Sequence, residues 1–114
     1  MKTKLLLLNL LTIFGMSLLA TAGEKLSDAA IKQKLLGYWQ SPRHGYLIKS
    51  DGVMYMLGGT TTNRWDVKGG IYYEDSDPFD IIVLTNKKFV VRSRGRDHQT
   101  FTMIKITKEE AEKY

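Results

Sequence analysis

Cysteine is absent from all 114 residues. That excludes a disulfide framework, a thiol nucleophile, thiolate-held zinc and lipid attachment through an N-terminal cysteine. Histidine is scarce: His44 and His98 are the only two. Neither stands in a His-Glu-x-x-His or His-x-His spacing, so the usual metal signatures fail as well. There is no Gly-x-Ser-x-Gly elbow. Ser93, Asp97 and His98 have the residue types of a hydrolytic triad, but an adjacent Asp and His in one loop rarely aim at each other. The run Gly58-Gly59-Thr60-Thr61-Thr62 lacks the Gly-Lys-Ser/Thr ending and the following helix of a phosphate loop. No internal repeat and no low-complexity linker is present. No catalytic residue, metal or cofactor is therefore assigned, and binding is expected rather than catalysis.

Met1-Lys2-Thr3-Lys4 forms a short basic start. Leu5 to Ala20 is an uncharged stretch of sixteen residues, broken only by Asn9, Thr12 and Ser17. A membrane-spanning helix needs about 20 apolar residues. Ala20-Thr21-Ala22 then supplies the small-x-small pattern of a signal-peptidase site. Residues 1–22 thus read as a cleavable signal peptide, and 23–114 as one exported domain that does not span a membrane after cleavage. The short leader and the absence of disulfides point to a bacterial envelope, periplasmic or secreted. Loss of Lys2 and Lys4 leaves fifteen basic against twelve acidic residues, a net of +3. So mild an excess does not call for nucleic acid. Without disulfides, so small a domain must hold together by core packing.

One helix opens the domain. Ser27 is a good N-cap, Asp28 suits the positive end of the helix dipole, and Leu26 with Ile31 form a hydrophobic staple. Ile31 and Leu35 share a face, and Gly37 stops the helix. Beyond it the hydrophobic period becomes that of strands, near 38–41, 44–50, 53–58, 62–68, 71–75, 79–85, 88–95 and 99–106. Turn signals such as Ser50-Asp51-Gly52, Gly69-Gly70 and Asn86-Lys87 separate them. This is the pattern of an antiparallel meander. Thr107-Lys108-Glu109-Glu110 is a capping box for a last helical turn.

The segment 79–91 is apolar on both faces. A two-residue turn at Asn86-Lys87 would pair Leu84 with Phe89, Val83 with Val90 and Ile82 with Val91. In that register Asp80 falls opposite Ser93 and Phe79 opposite Arg94. One face belongs to the core; the N-terminal helix or a partner subunit should cover the other.

A short helix running into Gly37-Tyr38-Trp39 resembles the opening of lipocalin-like, calycin-type barrels. The similarity extends through Tyr46-Leu47-Ile48, Asp51-Gly52-Val53-Met54-Tyr55 and the run Trp65 to Gly70, as in small bacterial lipocalin-like domains of unknown function. The resemblance implies that Trp39 closes the barrel base under a late-strand arginine, for which Arg92 and Arg94 are the candidates. It also implies a mainly β fold: a short N-terminal helix, then a curved antiparallel meander of seven or eight strands forming a small barrel or half-barrel.

Two charged constellations stand out. Arg92, Arg94 and Arg96 alternate onto one strand face, where guanidinium forks suit an anionic partner or simply solvate a strand end. Glu74, Asp75, Asp77 and Asp80 place four carboxylates in seven positions, which reads better as a turn than as a calcium loop. Met54 and Met56 share a face, with Tyr55 on the other. The resulting expectation is an exported protein that holds a small apolar or amphiphilic molecule. Trp39, Met54, Tyr55, Met56 and Trp65 would line the site, with Arg92 and Arg94 at its rim. The alternative is a protein-binding module, inhibitor or immunity-like, using the arginine strand or the hairpin 79–91.

Overall fold

The computed structural model describes residues 26–95 and 97–114, so the signal-peptide reading of 1–22 and the placement of Arg96 lie outside the described residues. Helix α1 (Asp28–Leu35) leads into eight strands: β1 (Gly37–Gln40), β2 (Gly45–Ile48), β3 (Val53–Met56), β4 (Thr62–Lys68), β5 (Ile71–Glu74), β6 (Asp77–Leu84), β7 (Lys88–Ser93) and β8 (Thr100–Ile106). A short helix α2 (Lys108–Ala111) follows, with the expected capping box at Thr107 and Glu110. Every strand pairs antiparallel with its chain neighbours, and β1 also pairs with β8, which closes the sheet into a barrel. The half-barrel alternative is thereby ruled out. Among the described residues no helix is long and apolar enough to cross a membrane.

Alternation decides what lies inside. Trp39, Ile48, Met54, Trp65, Val67, Tyr72, Phe89, Val91 and Met103 point inward and form one core with Ile31 and Leu35 of α1. Burying a side chain of this size contributes about 1.5–3 kcal/mol, so these residues carry the stability that disulfides would otherwise supply.

Helix α1 closes one end of the barrel. The Ser27 hydroxyl caps it by accepting from the Ala30 amide at 3.1 Å. Asp28 does more than meet the helix dipole: its two carboxylate oxygens accept from the Gly69 and Gly70 amides at 2.8 and 2.9 Å. Both glycines have positive φ (60° and 79°), the backbone a tight β4–β5 hairpin demands. Across the barrel end, Lys34 donates to the Asn86 side chain in the β6–β7 turn at 3.2 Å.

The C-terminal end of α1 is tied to the first and last strands. The Trp39 indole N–H donates to the Leu35 carbonyl at 2.8 Å. The Lys105 ammonium donates to the Leu36 carbonyl at 2.7 Å and lies 4.4 Å from the centre of the Trp39 ring. Carbonyls left unpaired by a helix end are thus satisfied by an indole and a cation. Gly37 sits beneath Lys105 with φ +125°, and a Cβ there would meet the Lys105 Nζ at 3.2 Å. The cation over Trp39 is therefore Lys105, and not Arg92 or Arg94 as the resemblance implied.

The physical reason is alternation along β7: Phe89 and Val91 point inward, so Arg92, and Arg94 beyond it, fall on the outer face. A β-bulge in β6 changes what they pair with. Leu84 pairs with Phe89 and Val83 with Val90, as the turn predicts, but the register shifts between Ile81 and Val83. Val91 then faces Ile81 rather than Ile82, Ser93 faces Phe79, and Arg92 faces Asp80. Ile82 is extruded and 47 % exposed. A one-residue slip sends each later side chain to the opposite face. The bulge thereby brings Phe79 and Ile81 onto the core side together with Leu84.

Candidate functional site

The barrel is filled below and open above. Trp39, Tyr72 and Phe89 are almost completely buried and form an aromatic floor. The Trp39 and Phe89 ring centres are 5.9 Å apart, and Tyr72 meets Phe89 edge-on at 5.1 Å. Such tilted and edge-on pairs suit the ring quadrupoles. Above this floor lies a cavity of about 670 Å3, opening away from α1. Its apolar walls include Met54, Phe79, Val91, Phe101 and Met103. Phe79 links the floor to the lip, 5.8 Å from Tyr72 and 6.1 Å from Phe101. Phe101 faces the mouth and stays 47 % exposed.

The lip on one side is the β1–β2 turn, Ser41 to His44. The Ser41 hydroxyl holds it, accepting from the His44 amide and donating to the His44 carbonyl, both at 3.1 Å. The His44 ring stands edge-on to Tyr46 at 6.2 Å. Gln99 and Thr100 form the facing lip. Cavities of 300–1,000 Å3 with mostly apolar walls and a few polar groups are the usual form of a small-molecule site.

The polar groups inside are few. On β5, Tyr72 and Glu74 point the same way, and the Tyr72 hydroxyl donates to the Glu74 carboxylate at 2.9 Å. Burial pushes Glu74 above the usual carboxylate range, reinforced by the negative charges of Asp75 and Asp77 and opposed by the Tyr72 hydrogen bond. Burial, reinforced by Glu74, also pushes the Tyr72 hydroxyl well above its ordinary value and raises Tyr46. Among the described residues the ion pairs are Lys32–Asp66 and Arg94–Asp80, so no lysine or arginine neutralises Glu74.

The residues chosen from the sequence are not all brought together. Met54 lines the cavity, and Trp39 lies under it as part of the floor. Met56 pairs with Tyr46 at the end of β3 and is half-buried, but it is not among the residues that line the cavity. Trp65 is buried toward the α1 end, its indole N–H donating to the Lys49 carbonyl at 2.9 Å. Tyr55 faces outward and donates to Asp51 at 3.1 Å. Arg92 and Arg94 also face outward; Arg94 grips Asp80 through Nε at 2.8 Å and Nη2 at 2.7 Å. This exposed pair holds Asp80 below its ordinary value.

The four carboxylates between 74 and 80 disperse. Glu74 faces the cavity, Asp75 accepts from the Arg64 amide and the Asn63 side chain, and Asp80 pairs with Arg94. Among the described residues no cluster of three or more metal-ligating side chains forms.

Glu74, Tyr72 and Phe79 were missed as site residues. Their signal lies in the hairpin: a two-residue Gly69-Gly70 turn pairs Val67 with Tyr72 and Trp65 with Glu74, which puts Glu74 on the inward face. Comparisons with models of known protein families, with curated proteins and with solved structures find no match for this chain.

Proposed function

We propose that this protein is a small exported binding protein whose half-filled barrel holds an apolar or amphiphilic molecule. The observation that carries the reading is the cavity of about 670 Å3 above the Trp39–Tyr72–Phe89 floor. A barrel of this strand number can fill its interior with side chains or keep room for one small ligand. The walls are mainly apolar, and the mouth is open to solvent at Phe101. The leader-like residues 1–22 and the resemblance to small bacterial lipocalin-like domains support a site of action in the bacterial envelope.

The test is titration of the purified domain with N-phenyl-1-naphthylamine, a neutral apolar dye that brightens on leaving water. Saturable brightening is expected, and Val91→Trp, which builds an indole into the cavity from its wall, should weaken it at least tenfold while the circular dichroism stays that of a β-protein. A dye that does not bind, or that binds Val91→Trp as tightly as the parent, refutes the reading.

A second reading rests on the outer face of β6, β7 and β8, where Ile82 and Ile104 are 47 % and 45 % exposed. Such a patch supports a protein-binding role. Native mass spectrometry of the protein taken from its own envelope separates the two: a small-molecule adduct favours the cavity, a stoichiometric protein partner the outer face.

A further inference from the structure

Glu74 is an anomaly in the cavity. A carboxylate half-buried in a cavity is commonly matched by a cation or several hydrogen-bond donors, because uncompensated burial of charge is costly. Here, among the described residues, Tyr72 alone donates to it. The surroundings add a second feature. Tyr46, Tyr72 and Phe79 line the cavity together with Glu74. Tyr72 and Phe79 present tilted rings 5.8 Å apart, and Tyr46 is near enough for the Glu74 charge to raise its hydroxyl. Aromatic faces beside a carboxylate are the environment that attracts an organic cation, since the ring quadrupole and the negative charge act in the same sense.

The remaining walls are mainly apolar, with Asn63 and Thr102 as polar exceptions below the lip. Met54, Val91, Phe101 and Met103 offer a tail nothing to hydrogen-bond. We propose that the cavity selects an amphiphile whose polar end is a protonated amine, with Glu74 as its counter-charge, Tyr46, Tyr72 and Phe79 around it, and its apolar tail along Met54, Val91 and Met103. This rests on the cavity reading above and narrows it to a ligand class.

The charged and titratable groups that bear on Glu74 are Tyr72 on its own strand, Asp75 in the following turn, Asp77 opposite it at the start of β6, and Tyr46 on β2. Arg43 and His44 stand at the lip. Asp75 and Asp77 add negative potential and favour a cation further. The preference for an amine must also depend on pH. Protonating Glu74 removes the counter-charge while an alkylamine stays charged, so selectivity is lost on acidification.

The experiment displaces bound N-phenyl-1-naphthylamine with decylamine, decanol and decanoate, three ligands with the same tail. At pH 7.5 decylamine is expected to bind about ten- to a hundredfold more tightly than decanol, the range of a hydrogen bond to a charged group, with decanoate weakest. In Glu74→Gln the amine-to-alcohol ratio falls to about one. In the unaltered protein the same ratio falls between pH 7.5 and pH 4, an arm that needs no variant to fold. Equal displacement by decylamine and decanol from the unaltered protein overturns the amine proposal and leaves the cavity reading standing. Absence of dye binding and of displacement by all three overturns both.

Discussion

Replacing Trp39 with phenylalanine keeps an aromatic ring in the barrel floor and removes the indole N–H. The Leu35 carbonyl, which accepts that N–H at 2.8 Å in a buried site, then loses its donor. Leaving a buried polar group unpaired costs about 1–3 kcal/mol. The smaller ring also leaves a gap of some tens of Å3 among fully buried neighbours, which adds about 1 kcal/mol. Lys105 lies 4.4 Å from the Trp39 ring centre, and a phenyl ring holds a cation less well than indole, by a few tenths of a kcal/mol. Together the loss comes to about 2–4 kcal/mol, a fall in Tm of roughly 10–30 °C for a domain this small. Urea unfolding followed by far-ultraviolet circular dichroism measures it without relying on the altered fluorophore. Lys105→Met alone and with Trp39→Phe completes a cycle, in which a coupling of at least about 0.5 kcal/mol is expected for groups in contact. A loss below about 1 kcal/mol, or strict additivity, refutes the view that Trp39 and Lys105 jointly terminate α1.

Two further outcomes follow from the same geometry. Burial raises Glu74 above its ordinary value, so its ionisation opposes folding: the penalty is absent below the carboxyl's unfolded-state value and grows as pH rises through the folded one. Glu74→Gln is therefore expected to melt above the parent at pH 7.5, the gap closing by pH 4; a variant less stable at pH 7.5, or a gap indifferent to pH, contradicts this. Gly37→Ala forces a side chain onto φ +125° and against the Lys105 Nζ, and is expected to cost about 1–3 kcal/mol in urea unfolding, with no loss at all as the refuting result.

Much of the fold was legible because alternation and turn chemistry agreed. The strands, the Ser27 cap and the Thr107 box fall where the period and caps place them. The bulge at Ile82 was not legible. Its flanks are all apolar, so no polar residue marks which side faces water, and the slip appears only once both hairpin strands are packed. That single residue brought Phe79 and Ile81 round to the core side with Leu84. Lys105 was hidden for a different reason. It continues the inward series Phe101, Met103, Lys105, but a lysine in that series reads as a departure from the core until the α1 carbonyls it serves are in place. Of the site, Met54 and the Trp39 floor were within reach of pattern alone. The pairing of Glu74 with Trp65 across the Gly69-Gly70 hairpin needed only to be followed one strand further.

A ring of strands each joined to its successor has one long-distance seam, where Tyr38, Trp39 and Gln40 meet Ile106, Lys105 and Ile104. All other strand pairings form between neighbours in the chain and close short loops; this one must bring together the two extremes of the sheet. The Trp39–Lys105 contact that ends the helix straddles that very join. The plug and the zipper therefore share a fastener, and anything that loosens it frees the helix, parts the first strand from the last and bares two raw strand edges at once.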